Sequence, residues 1–197
     1  MDEKFEFTPD NLRKANKAIG NYPKGRQQSA VLTLLDLAQR QNENGNYVTN
    51  AAINVIANML DMARIRVMEV ATFFTMINLE PVGKYLLQCC RTTPCWLRGS
   101  DNILAIIESQ LGIHNGETSE DGLFTLMEVE CLGACANAPI IQINDKYFED
   151  LDPDSMLKII ETLKHGDFPV HGSQTGRQQS APLGGPSTLN DMKFGGE

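Results

Sequence analysis

The chain has 197 residues, of which 42% are hydrophobic, and a formal net charge of −8. This acidic balance argues against a nucleic-acid partner, because domains that bind the phosphate backbone are normally basic. No apolar run approaches the roughly 20 residues that a membrane span needs, and the acidic N-terminus is unlike a signal or transit peptide. We therefore expect neither nucleic-acid binding nor direct membrane insertion.

Four segments with helical periodicity follow one another in the first part of the chain. Thr8 and Pro9 predict the start of a helix that ends at Gly20, and three apolar stripes at helical spacing come after it. These stripes are Val31, Leu34, Leu35 and Ala38; then Ala52, Val55, Ile56, Met59 and Leu60; then Val67, Val70, Ala71 and Phe74. We predict a helical bundle over residues 1–80, with Phe73, Phe74 and Met76 in its core.

Strands and helices alternate in the second part, so that the predicted class is α+β. The predicted elements are a strand at 84–90, a helix from Ser100 to Gly112, a strand at 123–130, a hairpin of 140–143 and 146–149 with its turn at Asn144 and Asp145, and a helix opened by Asp152 and Pro153 and closed by Gly166. They form a predicted domain at 81–166. Residues 167–197 are rich in Gly, Ser, Gln and Pro and predict an extended tail.

Four of the five cysteines form two pairs that carry the chemical argument. Cys90 and Cys95 follow the first predicted strand, and Cys131 and Cys135 follow the second. Two strand ends at one edge of a sheet would bring four thiolates together, which suits a [2Fe–2S] cluster or a structural zinc ion. The loose spacings favour the cluster over zinc. Thioredoxin-like disulfide chemistry ranks lower, because the chain has no Cys-x-x-Cys motif.

Several residues near these pairs are interpreted as structural. Cys89 would point to the opposite strand face from Cys90 and act as a small buried hydrophobic residue. Trp96 is expected to pack in the core or to cover the site. His114, His165 and His171 have no partner at ligand spacing and are expected on the solvated surface.

The motifs CRTTPC and EVECLGACANAP resemble the thioredoxin-like [2Fe–2S] ferredoxin family, the small iron–sulfur subunit of NADH dehydrogenase in respiratory complex I and in related soluble diaphorases and hydrogenases. Segments such as VMEVATFFTM, PVGKY and QINDKYFEDL extend the resemblance over nearly all of residues 5–166. The resemblance implies a thioredoxin-like domain after the helical bundle. It also implies that Cys90, Cys95, Cys131 and Cys135 ligate one [2Fe–2S] cluster, with Cys89 outside the ligand set.

The same resemblance implies an electron-transfer subunit of complex I, an NADH:ubiquinone reductase. Its cluster would exchange electrons with the FMN of an NADH-binding flavoprotein subunit, while this chain binds neither FMN nor NADH and catalyses nothing in isolation. The expected partners are that flavoprotein subunit and the large iron–sulfur subunit of the peripheral arm. The alternatives are the equivalent subunit of a soluble NAD-linked diaphorase or hydrogenase, and a structural Cys₄ zinc scaffold.

The tail bears on the expected location of the protein. Its segment SAPLGGPSTL resembles the C-terminal extension of mitochondrial and alpha-proteobacterial members of the family. This implies the matrix side of the mitochondrial inner membrane or, as the alternative, the cytoplasmic face of a bacterial inner membrane.

Overall fold

A computed structural model of the chain describes residues 4–43, 45–182, 184–185 and 187–189. The predicted tail therefore includes residues 183, 186 and 190–197, which lie outside the described residues. No helix in the described part of the chain is both long and apolar enough to cross a membrane.

Two units make up the chain, Met1–Lys84 and Tyr85–Glu197. The first contains helices, and the second contains helices and a five-stranded mixed sheet. The predicted α+β class is thus confirmed. The division into segments 1–80, 81–166 and 167–197 stays a prediction.

The helices of the first unit begin close to where the sequence predicts. They are α1 (Pro9–Gly20), α2 (Val31–Gln41), α3 (Asn50–Leu60) and α4 (Arg64–Phe73), with a 3₁₀ helix at Gln27–Ala30 ahead of α2. Thr8 and Thr49 cap α1 and α3, because each side chain accepts a hydrogen bond from a backbone N–H of the first turn. Such caps pair N–H groups that have no partner within the helix.

The apolar stripes of these helices share one core. Its fully buried large side chains are Leu34, Leu35, Ile53, Ile56 and Leu60. Phe74 packs partly buried against this core, but the core positions predicted for Phe73 and Met76 are wrong, since these side chains are 76% and 60% exposed. Phe73 lies beside the stripe that buries Val67 and Ala71, and Met76 follows the end of α4. The bundle arrangement of the helix axes stays a prediction.

The sheet of the second unit has the strand order β2-β1-β3-β4-β5. The strands are β1 (Tyr85–Cys90), β2 (Phe124–Val129), β3 (Ile141–Ile143), β4 (Lys146–Glu149) and β5 (Gly172–Ser173). Strand β1 is parallel to β2 and antiparallel to β3, whereas β4 is antiparallel to β3 and parallel to β5. In the β1–β2 register Cys90 lies opposite Val129, so both strands end at one edge.

Three helices complete the second unit: α5 (Thr93–Leu97), α6 (Ser100–Leu111) and α7 (Pro153–Lys164). Helices α6 and α7 pack against each other, and their apolar faces share a core with Tyr85, Leu87 and Cys89 of β1. Helix α5 and strand β5 were not predicted, because five and two residues are too short to show a periodicity. Gly99, rather than Ser100, is the N-cap of α6.

Asp152 caps α7 through two reciprocal hydrogen bonds. Its carboxylate accepts from the backbone N of Ser155 at 2.8 Å, and the Ser155 hydroxyl accepts from the backbone N of Asp152 at 2.9 Å. The hydrogen bonds from Ser155, first from its backbone and then from its side chain, lower the pKa of Asp152 from its usual 3.8. A carboxyl group whose pKa is lowered by folding stabilises the protein above its unfolded-state pKa. That contribution is lost as the pH falls through the folded-state pKa.

Asp152→Ala should lower the free energy of unfolding by about 1 kcal/mol at neutral pH, because it removes the helix cap. The difference from the unmodified protein should shrink as the pH falls below 3.8. Urea titrations followed by circular dichroism measure both effects. Asp152→Asn is the matched control, since Asn caps helices without titrating; an Ala variant as stable as the control at neutral pH would contradict the expectation.

Candidate metal centre

The ends of β1 and β2 bring the two cysteine pairs to one edge of the sheet. Cys90 is the final residue of β1, and Cys131 follows β2 by two residues. Each strand then leads into a short helical turn that carries the second member of its pair, namely α5 with Cys95 and a 3₁₀ helix beginning at Cys135. The strands are parallel neighbours, so both turns lie at the same edge.

The second pair and its loop are held by short polar contacts. The Sγ atoms of Cys131 and Cys135 are 3.4 Å apart, and the backbone N–H of Gly133 donates to Cys131 Sγ across 3.4 Å. Gly133 has a φ of +87°, a conformation that a residue with a Cβ rarely adopts. The glycine thus lets the loop fold back so that its amide faces a sulfur.

The first pair is buried among apolar residues, while the second pair is exposed. Cys90 and Cys95 are each 1% exposed and pack with Ala138 and Ile140. Cys131 and Cys135 are both exposed cysteines, so one side of the site meets solvent. Partly buried side chains border the apolar wall: Leu132, Ala134 and Tyr147. The Tyr147 hydroxyl donates to the Leu132 carbonyl at 2.6 Å, which ties the loop to β4.

Each pair combines one thiol whose pKa is lowered with one whose pKa is raised. Hydrogen bonds from the Gly133 N–H, then from Cys135 and Thr92, lower the pKa of Cys131. The hydrogen bond with Cys131, followed by burial, raises the pKa of Cys135. In the exposed pair, therefore, the environment favours the thiolate form at Cys131 more than at Cys135.

The buried pair shows the same division for a different reason. Burial raises the pKa of Cys90, but hydrogen bonds from the Thr92 hydroxyl and from the backbone of Leu132 and Thr92 outweigh it, so that the pKa is lowered overall. The Thr92 hydroxyl lies 3.4 Å from Cys90 Sγ. Burial and the hydrogen bond with Cys90 raise the pKa of Cys95 to about 12. Each pair thus has one thiol whose pKa is lowered towards the thiolate form, which is the form that binds metals.

The donor set of four cysteine sulfurs fits the ligands that an iron–sulfur cluster needs. Within the described residues, no group of three or more His, Cys, Asp or Glu side chains is placed to hold one metal ion. The two pairs also interact electrostatically. In addition to burial, the charge of Cys135 helps to raise the pKa of Cys95. In addition to the hydrogen bond with Cys131, the charge of Cys90 helps to raise the pKa of Cys135. Four thiolates are the ligands that would hold a [2Fe–2S] cluster. Soft sulfur donors, an amide facing a sulfur and an apolar wall are all features that such a cluster requires.

Cys89 and Trp96, which directly adjoin Cys90 and Cys95 in sequence, lie in different environments. Cys89 lies 1% exposed in the core beneath α6 and α7, on the opposite strand face from Cys90, and burial raises its pKa to about 12. Its predicted burial on the other face is confirmed. The prediction that Trp96 packs in the core is wrong, because its side chain, in the short helix α5, is 56% exposed.

The three histidines lie where the sequence predicts them. All three histidines are exposed, as predicted, and His114 Nδ1 lies 3.0 Å from a Glu108 carboxylate oxygen.

Sequence reasoning missed Asn137, Asp150 and Arg177, which hydrogen-bond around the turn after Cys135. Their separation along the chain left no local pattern by which to find them.

Known proteins resemble the chain over most of its length. A family model described as thioredoxin-like [2Fe-2S] ferredoxin matches residues 15–164. The chain is 56% identical over 161 residues to a subunit of the NADH-quinone oxidoreductase of Rickettsia conorii, covering 82% of this chain and 95% of that protein. It is 54% identical over 168 residues to the protein of the same name from Rickettsia felis, covering 85% of this chain and 99% of that protein.

A solved structure shares the fold at low sequence identity. A chain of the NAD⁺-reducing [NiFe]-hydrogenase in its H₂-reduced state gives a TM-score of 0.58 at 17% identity, covering 66% of this chain and 22% of that one. This chain thus spans about a fifth of the hydrogenase chain. The match to the family model includes all four paired cysteines and most of the sequence, and the chain therefore belongs to the thioredoxin-like [2Fe-2S] ferredoxin family.

Proposed function

We propose that this chain is the electron-transfer subunit of a bacterial NADH-quinone oxidoreductase and holds one [2Fe–2S] cluster through Cys90, Cys95, Cys131 and Cys135. The observation that carries the proposal is the placement of two cysteine pairs at the ends of adjacent parallel strands. The Rickettsia relatives, 56% identical over 82% of the chain in one case, support the wider assignment.

When bound, a [2Fe–2S] cluster supplies reversible transfer of one electron. The chain would hold it with one buried and one exposed cysteine pair. Ala138 and Ile140 exclude water from the buried side, and the Gly133 amide and Thr92 hydroxyl face sulfur atoms. Donors of this kind stabilise negative charge on the ligands and so set the reduction potential.

The proposal includes a set of partners. The exposed cysteine pair lies on the side from which a redox partner can approach, which suits electron exchange with the FMN of an NADH-binding flavoprotein subunit. The large iron–sulfur subunit of the peripheral arm is the second proposed neighbour. FMN and NADH would bind the flavoprotein and not this chain, so the isolated chain should not oxidise NADH.

The proposed location is the peripheral arm at the cytoplasmic face of a bacterial inner membrane. The similar NADH-quinone oxidoreductase proteins come from Rickettsia species, which are bacteria. They support the bacterial alternative, and the mitochondrial location implied by the tail gains no support from them.

The metal content of the purified protein tests the cluster directly. We expect about two iron and two acid-labile sulfide per chain, with the visible absorbance of a [2Fe–2S] centre. Serine at any of the four paired positions should abolish or strongly alter this absorbance. Cys89→Ser is the matched control and should leave it intact, because Cys89 faces the core. A colourless protein with one zinc ion would instead support the zinc scaffold.

Thr92 should tune the reduction potential through its hydroxyl. Thr92→Val keeps the side-chain shape but removes the donor 3.4 Å from Cys90 Sγ, so the more negative reduced state loses a hydrogen bond. The midpoint potential should fall by about 20–60 mV, the equivalent of one hydrogen bond in a one-electron couple. Redox titration followed by electron paramagnetic resonance measures the shift. The exposed neighbour Thr93, changed to Val, is the control and should leave the potential unchanged.

Affinity purification of the tagged chain from its own cells tests the proposed assembly. A flavoprotein that oxidises NADH should co-purify, together with the large iron–sulfur subunit and the membrane subunits of a quinone-reducing complex. Recovery with hydrogenase subunits and without any membrane subunit would instead favour the soluble diaphorase alternative. Recovery of no flavoprotein at all would contradict both.

A further inference from the structure

The chain after α7 returns to the sheet and is fixed there by backbone pairing. Strand β5 is parallel to β4, with Gly172 opposite Phe148, and the backbone N of Gln174 donates to the Glu149 carbonyl at 2.9 Å. The Phe168 ring lies tilted against that of Phe148, with centroids 6.0 Å apart. Residues 172 and 173, which lie within the predicted tail, therefore add a short strand to the sheet.

Asp150 is the residue on which this returning segment and the cysteine loop meet. It directly follows β4 with a φ of +52°, and its backbone N donates to the Asn137 carbonyl at 2.7 Å. Its carboxylate accepts from the Ser173 hydroxyl at 2.7 Å and lies 3.5 Å from Arg177 Nε. The carboxylate thus contacts the returning segment while its backbone contacts the loop.

Arg177 spans the gap between the segment and the turn after Cys135. Its Nη2 donates to the Ala136 carbonyl at 3.0 Å and to Asn137 Oδ1 at 3.1 Å. Asn137, which is 2% exposed, in turn donates from Nδ2 to the Gln179 carbonyl at 2.6 Å. The guanidinium therefore contacts the two residues that follow Cys135. The segment contacts the same turn a second time through the Gln179 carbonyl.

Polar contacts, rather than apolar packing, hold the segment against the loop. A cavity of about 510 Å³ beside these contacts is lined by residues of the loop, among them Gly133 and Cys135, and of the segment, among them His171, Ser173 and Arg177. The Arg177 and Asp150 side chains are only 16% and 8% exposed, so their charges face each other largely out of water. Losing either partner would leave the other charge poorly compensated.

We propose that Arg177 is a positioning residue that holds the loop bearing Cys131 and Cys135 in place. By holding this loop, Arg177 slows the loss of the metal group that the two cysteines bind. The last part rests on the proposed function, because it supposes a cluster at these cysteines. The first part does not, since the contacts belong to the chain itself.

Hydrogen–deuterium exchange of the full chain, with and without metal, tests the positioning. In Arg177→Met, amide exchange over residues 131–139 should quicken at least about tenfold, as expected when a local structure opens. Exchange in α7 and β1 should stay unchanged. Arg177→Lys keeps the charge but loses the planar fork of the guanidinium. Its exchange rate over residues 131–139 should lie between those of the unmodified protein and Arg177→Met. Arg66→Met is the control, since Arg66 is an exposed arginine paired with Glu69.

Cluster retention provides the second readout. Under a chelator, the visible absorbance of Arg177→Met should decay about 10–100-fold faster than that of the unmodified protein and the Arg66→Met control, as expected for loss of an outer-shell contact. Ser173→Ala, which removes the hydrogen bond to Asp150, is the milder variant should Arg177→Met not fold, and it should show the same local pattern.

The outcomes separate the two proposals. Unchanged loop exchange, or equally faster exchange in every peptide, would overturn the positioning role. A protein without iron would overturn the proposed function, while loop exchange in the metal-free protein would still decide the role of Arg177.

Discussion

The parallel pairing of β1 with β2 is the constraint on which the cysteine site depends. Leu87 and Leu126 lie opposite each other in this register and are both completely buried, so the core locks the alignment. A slip of one residue would move every side chain of the strand to the other face. Cys89 would then reach the site and Cys90 would enter the core. The packing of leucines several residues away from the sulfurs thus decides which of the two adjacent cysteines faces the paired-cysteine site.

The two cysteine pairs differ in environment although their chemistry is the same. The buried pair relies on Thr92 to offset the cost of placing negative charge among apolar side chains. The exposed pair relies on a backbone amide made available by Gly133. An iron–sulfur group bound between them would therefore be shielded on one side and accessible on the other. That asymmetry suits a site that must keep its metal and still exchange electrons.

The sequence predicted the elements of the site well, because its signals are local. The strand that ends at Cys90, the strand that ends shortly before Cys131, the face of Cys89 and the cap at Asp152 all follow from periodicity or from residues a few positions apart. Side chains such as Phe73 and Met76 were misplaced, since an apolar residue does not by itself indicate which surface covers it. Arg177 was missed because the residues it binds are 40 and 41 positions away.

The contact between Arg177 and the turn after Cys135 has a consequence for how the protein is made. All four paired cysteines are synthesised before residue 136, yet the wall of the cavity beside Cys135 is built from residues 171–180. Contacts that join distant parts of a chain form only when both parts exist and a large loop has closed. The nascent chain therefore carries its complete set of thiols for some time before the surrounding structure is finished. The surroundings of Cys135 are therefore complete only once residues 171–180, a segment without cysteine, have been synthesised and have packed against the loop.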